Sequence, residues 1–438
     1  MAELVKKYQQ YDEYKDSGVE WLGEIPAHWE INRHKYVASF TKGKNPQEIF
    51  DEYSPDYYPY LSMDSLRGNS AHKYAPLVKN LYLVSENQPL IIWDGSNAGE
   101  FVRGRRGILS STMAAAKLNC MMNPNYYWYL CMCIEPEMRK HANGMGIPHV
   151  NGDELKNISL VNPSLSEQSK IASFLDFEIA QIDTLIEKQQ TLIKLLKEKR
   201  QAIISHAVTK GLNPDAPTKN SGVEWLGEVP EDWEVCKIQY YAKIESGHTP
   251  SKTKEKYWEN CNIPWISLND SKQLRVVDYI SDTAFEISEL GLANSSARIL
   301  PKHSVVFTRD ASIGLSAITT KEMAVSQHII AWLPIKQKLS PEFLLLVFYG
   351  MEKEFDRYTF GSTIKTIGMD NIRSLTAAFP SLIEQKIIVE QCFGQLKTID
   401  KTIEKSDALL MILRERRTAL ISAAVAGKID VRSWRAPE

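Results

Sequence analysis

The sequence predicts an α+β protein: two globular mixed α/β domains joined by two long antiparallel coiled-coil helices, related by a pseudo-twofold internal repeat. Three observations predict it. One segment of the chain is written twice. Each half closes with a long stretch whose apolar residues recur at alternating three- and four-residue steps. A joint bearing glycine and proline separates the halves.

The segment Asp16-Ser-Gly-Val-Glu-Trp-Leu-Gly-Glu-Ile-Pro-Ala-His-Trp-Glu30 returns as Asn220-Ser-Gly-Val-Glu-Trp-Leu-Gly-Glu-Val-Pro-Glu-Asp-Trp-Glu234, with 11 of 15 positions identical at an offset of 220 − 16 = 204. Pro59-Tyr-Leu-Ser62 answers Pro264-Trp-Ile-Ser267 at 205, Gly99 and Ser111 answer Gly314 and Ser326 at 215, and Pro163-Ser-Leu-Ser-Glu-Gln168 answers Pro380-Ser-Leu-Ile-Glu-Gln385 at 217. Four ordered matches are a duplication. The growing offset gives the second copy about a dozen extra residues, mostly in the middle of its globular part.

These matches divide the chain into a first globular domain (1–162), a first helical region (163–212), a second globular domain (213–379), a second helical region (380–430) and a tail (431–438). Each globular part mixes β-branched runs with turn signals such as Asp94-Gly95 and Ser246-Gly247. Ser164 with Glu167, and Ser381 with Glu384, have the spacing of a capping box at a helix start. The first long helix is expected over about Ile182 to Thr209. Its seam is Ile182, Ile186, Gln189, Ile193, Leu196, Arg200, Ile203 and Ala207, and adding 217 gives Ile399, Ile403, Ser406, Leu410, Leu413, Arg417, Leu420 and Ala424. The seams are apolar at the same six positions and polar at the same two. Such stripes can bury each other, each enclosed aliphatic side chain contributing ~1.5–3 kcal/mol, with Arg200 and Arg417 as polar breaks that set register. Gly211 and the prolines at 214 and 217 end the helix and open the second half. A helix of roughly 28 residues is about 42 Å long, the length of about 12 base pairs of duplex, so two readers at its ends would touch two short sites.

Composition limits the alternatives. The 438 residues suit two or three domains, and 43% hydrophobic residues are ample for packed cores. With 52 basic and 54 acidic residues the net charge of −2 gives no sign of a nucleic-acid partner, so any such contact rests on local patches and a more basic partner. Cys120, Cys131, Cys133, Cys236, Cys261 and Cys392 form no CxxC pair, as expected of reduced thiols. No apolar run has the length of a membrane span, and a cytoplasmic location is expected.

The direct repeat, the two Trp-Leu-Gly-Glu-x-Pro-x-x-Trp segments and the helix ends Lys199-Arg-Gln-Ala-Ile-Ile-Ser-His-Ala-Val-Thr-Lys-Gly211 and Arg416-Arg-Thr-Ala-Leu-Ile-Ser-Ala-Ala-Val-Ala-Gly427 resemble the specificity subunits of Type I restriction-modification enzymes, a phage-defence system. The resemblance covers nearly the whole chain. It implies that each globular part is a target recognition domain reading one half of a split, asymmetric DNA site. The helices would then be a spacer ruler and the docking surface for two modification (methyltransferase) subunits. It also implies two restriction (motor-nuclease) subunits, with S-adenosylmethionine, ATP and Mg2+ bound by those partners and none by this chain.

Under that resemblance the DNA contacts belong where the copies differ. In the first half these are Ser96 and Asn97 beside Asp94-Gly95, the arginines Arg103, Arg105 and Arg106, Ser111 and Thr112, and His149 at the end of a glycine-rich loop. In the second half they are His248, Lys252, Asn269, Arg309, Ser326, Gln327, Thr363 and Lys365. Arginine pairs with guanine edges or phosphates, and glutamine with adenine. The same arginine run also suits a solvated hairpin, and the serine-threonine cluster also suits a plain strand start. Trp21, Trp29, Trp225 and Trp233 recur unchanged, so they carry no difference in reading and are expected to be packing anchors.

No catalytic centre is expected. The segment nearest an adenine-methyltransferase Asn/Asp-Pro-Pro-Tyr/Phe site is Asn123-Pro-Asn-Tyr126, which lacks the second proline and reads as a turn before a helix over Tyr126–Lys140. No GxxxxGK[ST] phosphate loop occurs. Two rival readings stand beside this one: a scaffold that never touches bases, and an autonomous DNA-modifying enzyme.

Overall fold

The computed structural model describes residues 8–68, 73–140, 148–360 and 365–436. It forms two compact units: residues 1–190 with 408–438, and residues 191–407. The two long helices each contribute to both units, so part of each helix folds with each globular lobe.

In the first unit the strands that matter are β1 (Ala38–Lys42), β2 (Tyr57–Leu61), β3 (Pro89–Ile92), β4 (Phe101–Arg103), β5 (Gly107–Leu109) and β6 (Met113–Leu118), followed by helices α1 (Pro124–Lys140) and α2 (Leu165–Thr209). One four-stranded sheet runs β1-β6-β3-β4; a second places β2 parallel to β5, with Tyr74–Pro76 and Leu83–Val84 outside them. The first four residues of β6, Met113 to Ala116, are buried, so this central strand reads as a continuous apolar run. Helix α1 encloses Tyr126, Tyr127, Leu130, Cys131, Ile134 and Met138 on one stripe.

The second unit repeats the plan with β7 (Ala242–Ser246), β8 (Ile263–Ile266), β9 (Val305–Thr308), β10 (Ser316–Thr319), β11 (Ala324–Val325), β12 (Ile329–Pro334), α3 (Pro341–Gly350) and α4 (Leu382–Val425). Its larger sheet runs β7-β12-β9-β10 and ends on Tyr279–Ile280; β8 pairs in parallel with β11. The extra length sits between β8 and β9. Leu61 to Pro89 is 28 residues and Ile266 to Val305 is 39, so 11 are added, around the strand Phe285–Ile287 and the helix Glu289–Ala293.

Helix α2 starts at Leu165, well before the expected Ile182, and runs 45 residues to Thr209; α4 runs 44. The cap at Ser164 starts one uninterrupted helix because no glycine or proline follows until Gly211. Ser164 Oγ accepts from the Glu167 amide at 3.3 Å, and Ser381 Oγ from the Glu384 amide at 3.2 Å. The glutamates do something other than complete the box. Glu167 Oε1 accepts from Trp29 Nε1 at 3.2 Å and pairs with His28 Nε2 at 2.9 Å; Glu384 Oε1 accepts from Trp233 Nε1 at 3.2 Å. Trp29 and Trp233 are fully enclosed, packed also against Gly427 and Gly211, the left-handed residues that follow the helices (φ +70 and +69). Both tryptophans are therefore anchors between lobe and helix ends. Burial works to raise the Glu167 carboxyl, but the bonds from His28, Trp29 and Ser164 outweigh it and hold it below the ordinary range. Burial wins at Glu384, with Asp232 adding to the rise where the first unit has His28.

Within each unit the two helices run antiparallel. In the first, Asp183 meets Arg417 (2.7 Å) while Glu167 and Gly427 share Trp29; in the second, Arg200 meets Asp400 (2.8 Å) while Gly211 and Glu384 share Trp233. The ion pairs are one pair written twice, since 183 + 217 = 400 and 200 + 217 = 417. All the seam positions from Ile182 to Ala207 and from Ile399 to Ala424 are buried or half-buried. Among the described residues no helix is long and apolar enough to cross a membrane.

Candidate nucleic-acid interface

In each lobe, four loops are drawn to one end of the sheets. Gly43 leaves β1 against the Leu109 and Ser110 carbonyls, and Gly247 leaves β7 against that of Val325; a Cβ at either glycine would overlap those backbones. The parallel pairs Leu61 with Leu109 and Ile266 with Val325 bring the segments after β2 and β8 to the same edge. Ser62 and Ser267 then cap the short turns that carry Asp64 and Asn269. The Trp93 amide donates to the Thr112 carbonyl, and the Arg309 amide to the His328 carbonyl. Backbone bridges Asp94–His149 and Asp310–Thr366 add the fourth loop.

These bonds fix the correspondence between the copies at 216: Asp94 with Asp310, Ser110 with Ser326, Ser111 with Gln327, Thr112 with His328. The sequence match of Ser111 to Ser326 is corrected by one residue. Ser326, expected to touch DNA, is fully enclosed, as is its counterpart Ser110 at 3% exposure; the Ser326 amide is tied to the Ile266 carbonyl just past the end of β11, and Gln327 is the exposed residue beside it.

The first cluster gathers Ser96, Asn97, Ser111, Thr112 and His149, of which Ser96, Thr112 and His149 are exposed. It also gathers two residues the sequence reading missed. Lys42 Nζ bonds Asp94 Oδ2 at 2.7 Å, and Asn45 Oδ1 accepts from Tyr60 Oη (2.7 Å) and the Ser111 amide (3.0 Å). The three arginines lie elsewhere. Arg103 pairs with Pro89, at the end of β3 remote from Asp94, and Arg105 and Arg106 precede β5 while Ser110 follows it. One strand length, about 10 Å, separates them from the cluster. Arg103 stacks on Trp128 (5.0 Å) and Arg106 on Tyr58 (5.6 Å). Nor is the run a hairpin: β4 and β5 belong to different sheets.

The second cluster gathers His248, Asn269, Arg309, Gln327 and Lys365, together with Thr249, which follows His248 and donates to Gln327. His248 is held by its amide on Val325 and by Trp265 Nε1 on its carbonyl. Arg309 is largely covered and lies 3.9 Å from Asp310. The Lys365 carbonyl accepts from the Ala311 amide, while its ammonium is exposed 3.8 Å from Asp356. Lys252 is exposed on the loop that follows His248. Thr363 lies outside the described residues. One signal could have found the missed residues: Gly43 and Gly247 stand at the same offset, 204, as the repeated tryptophan segment.

Two lobes of one fold, each offering the same loop positions with different exposed side chains, define a duplicated recognition protein. The family model of the Type I restriction modification DNA specificity domain matches residues 26–195 and 230–409, and the chain belongs to that family. It is 30% identical to the MjaIX specificity subunit of Methanocaldococcus jannaschii, over 97% of this chain and 98% of that protein. It is 28% identical to the MjaVIII specificity subunit of the same organism, over 93% and 95%. A chain from a structural study of complex assembly and conformational transition of the type I R-M system has the same fold, with a TM-score of 0.66 at 16% identity over 92% of this chain and 98% of that one.

Proposed function

We propose that the chain is the address-reading subunit of a Type I restriction-modification complex, binding a two-part asymmetric DNA sequence through its loop clusters and supplying no catalysis. The observation that carries this is the duplicated cluster: an identical frame with Lys42 and Thr112 exposed and Ser111 half-buried in one copy, against Ser246 and Gln327 exposed and His328 half-buried in the other. A reader of two different half-sites needs a constant frame and variable tips. In this reading α2 and α4 form an antiparallel coiled-coil spacer, kept in register by the Arg200–Asp400 and Arg417–Asp183 pairs. Their outer faces carry Leu192 and Leu195 on one helix and Leu409 and Ile412 on the other, exposed at equivalent positions and suited to partner helices. The partners are two modification subunits, which bind S-adenosylmethionine and methylate adenine, and two restriction subunits, which use ATP and Mg2+. The near-neutral charge predicts weak DNA affinity for the isolated chain. The complex works in the cytoplasm.

The test is a lobe exchange. Residues 40–160 are replaced by those of a relative, and the methylated sites in the host are mapped by sequencing. One half-site should change and the other persist; a site unchanged in both halves, or changed in both, contradicts the reading.

A further inference from the structure

Gln327 sits at the exposed tip of the second cluster, at the end of a directed chain of hydrogen bonds. Asp310 Oδ1 accepts from Thr366 Oγ1 at 2.6 Å, and Asp310 Oδ2 pairs with His328 Nδ1 at 2.6 Å. A carboxylate accepts and does not donate, so Nδ1 carries a proton, and Nε2, which faces the Gln327 amide nitrogen, is the acceptor of that contact. Gln327 Nε2 lies 3.0 Å from His328 Nε2 and donates to it. The opposite atom, Gln327 Oε1, accepts from Thr249 Oγ1 at 2.5 Å. Turned over, the amide would set its oxygen against the ring's lone pair, so the chain fixes which way the amide faces.

An amide so held keeps one N–H and one oxygen lone pair for another molecule. That donor–acceptor pair matches adenine, whose major-groove edge offers N7 as acceptor and the N6 amine as donor. Among the described residues the first lobe has no such device. Ser111 and Thr112 stand in place of Gln327 and His328, and Asp94 is bound by Lys42 instead of an imidazole.

We propose that Gln327 reads an adenine in the half-site of the second lobe, and that His328 and Asp310 are positioning residues that fix the orientation of its amide. This rests on the reading of the chain as a DNA specificity subunit and names one base and its reader.

The test uses the chain in its native host, with methylated sites mapped by sequencing and the first half-site as internal control. Gln327→Ala removes the reader from an exposed position. It should leave one adenine of the second half-site degenerate, with discrimination there reduced about 5- to 150-fold, all other positions of both half-sites being kept. Gln327→Glu, which can accept but not donate, should shift that position toward cytosine. His328→Phe keeps the ring's bulk and removes the acceptor; it should loosen the same position and no other. Thr366→Val cuts the bond behind Asp310 but keeps the His328 pair, and should keep the adenine. An unchanged consensus in Gln327→Ala, degeneracy at a position that is not adenine, degeneracy spread over both half-sites, or methylation lost everywhere would each overturn the proposal. The lobe exchange judges the broader reading separately, since it does not depend on which side chain meets which base.

Discussion

The two helix-to-helix ion pairs give a prediction whose size follows from the structure. Reversing one charge (Arg200→Asp or Asp400→Arg) replaces attraction by repulsion, and making both changes restores the pair with its ends exchanged. Unit charges 4 Å apart interact by about 1 kcal/mol in water and about 4 kcal/mol near a protein surface. Here the arginine side chain is 29% exposed and the aspartate 49%, so solvent screening puts the pair toward the lower figure. Each single reversal should therefore cost about 1–2 kcal/mol, and the exchanged pair should recover most of it. For a unit of this size about 1 kcal/mol corresponds to roughly 2–4 °C in Tm. The Arg417–Asp183 pair, with near-identical exposure (29% and 48%), should give the same cycle independently. The assay is urea and thermal unfolding of the wild-type chain, single variants and exchanged pairs. An exchanged pair as unstable as the sum of its single variants would refute the pairing, because side chains that do not meet have no coupling to recover.

Three further outcomes are expected. His34 is enclosed between the Leu155 carbonyl and Tyr127, and burial pushes its imidazole down to about 4, whereas Ile238 holds the equivalent place in the second lobe. Because the folded state binds the proton less readily than the unfolded chain, the first unit should lose stability as pH falls from about 6.5 toward 4; hydrogen exchange resolved by unit would show it, and equal loss in both units would contradict it. Glu167, held low, gives stability that fades as pH falls through the carboxylate range, while Glu384, held high, gives stability that fades as pH rises through it; the amide protection of Trp29 and Trp233 should therefore respond to acid in opposite directions. Gly247→Ala should force β7 off the Val325 backbone, cost at least about 1–3 kcal/mol, and weaken recognition of one half-site, measured by unfolding and by methylation mapping.

Local signals made much of this legible. The Ser-x-x-Glu spacing, the glycines after the helices and the period of the seam are short-range properties, and each appears in the structure at its residue. The start of α2 was misread because the seam pattern begins at Ile182, whereas a helix continues wherever nothing breaks it. The loop clusters were only half legible. Whether Arg103 or Lys42 stands beside Asp94 depends on which end of a strand each occupies, and that is set by long-range pairing. The one-residue shift from Ser326 to Gln327 is of the same kind: Ser326 is enclosed where its amide meets the Ile266 carbonyl, a partner remote in the chain, while Gln327 sits on the turn that follows.

Spacer length gives the most direct test. Inserting seven residues of helical sequence into each long helix, after Gln190 and after Asp407, lengthens each helix by about 10.5 Å, or roughly 3 base pairs. Methylation mapping should find both half-sites with their original bases and the gap between them wider by about 3 base pairs. Methylated sites that keep the original gap would contradict the account.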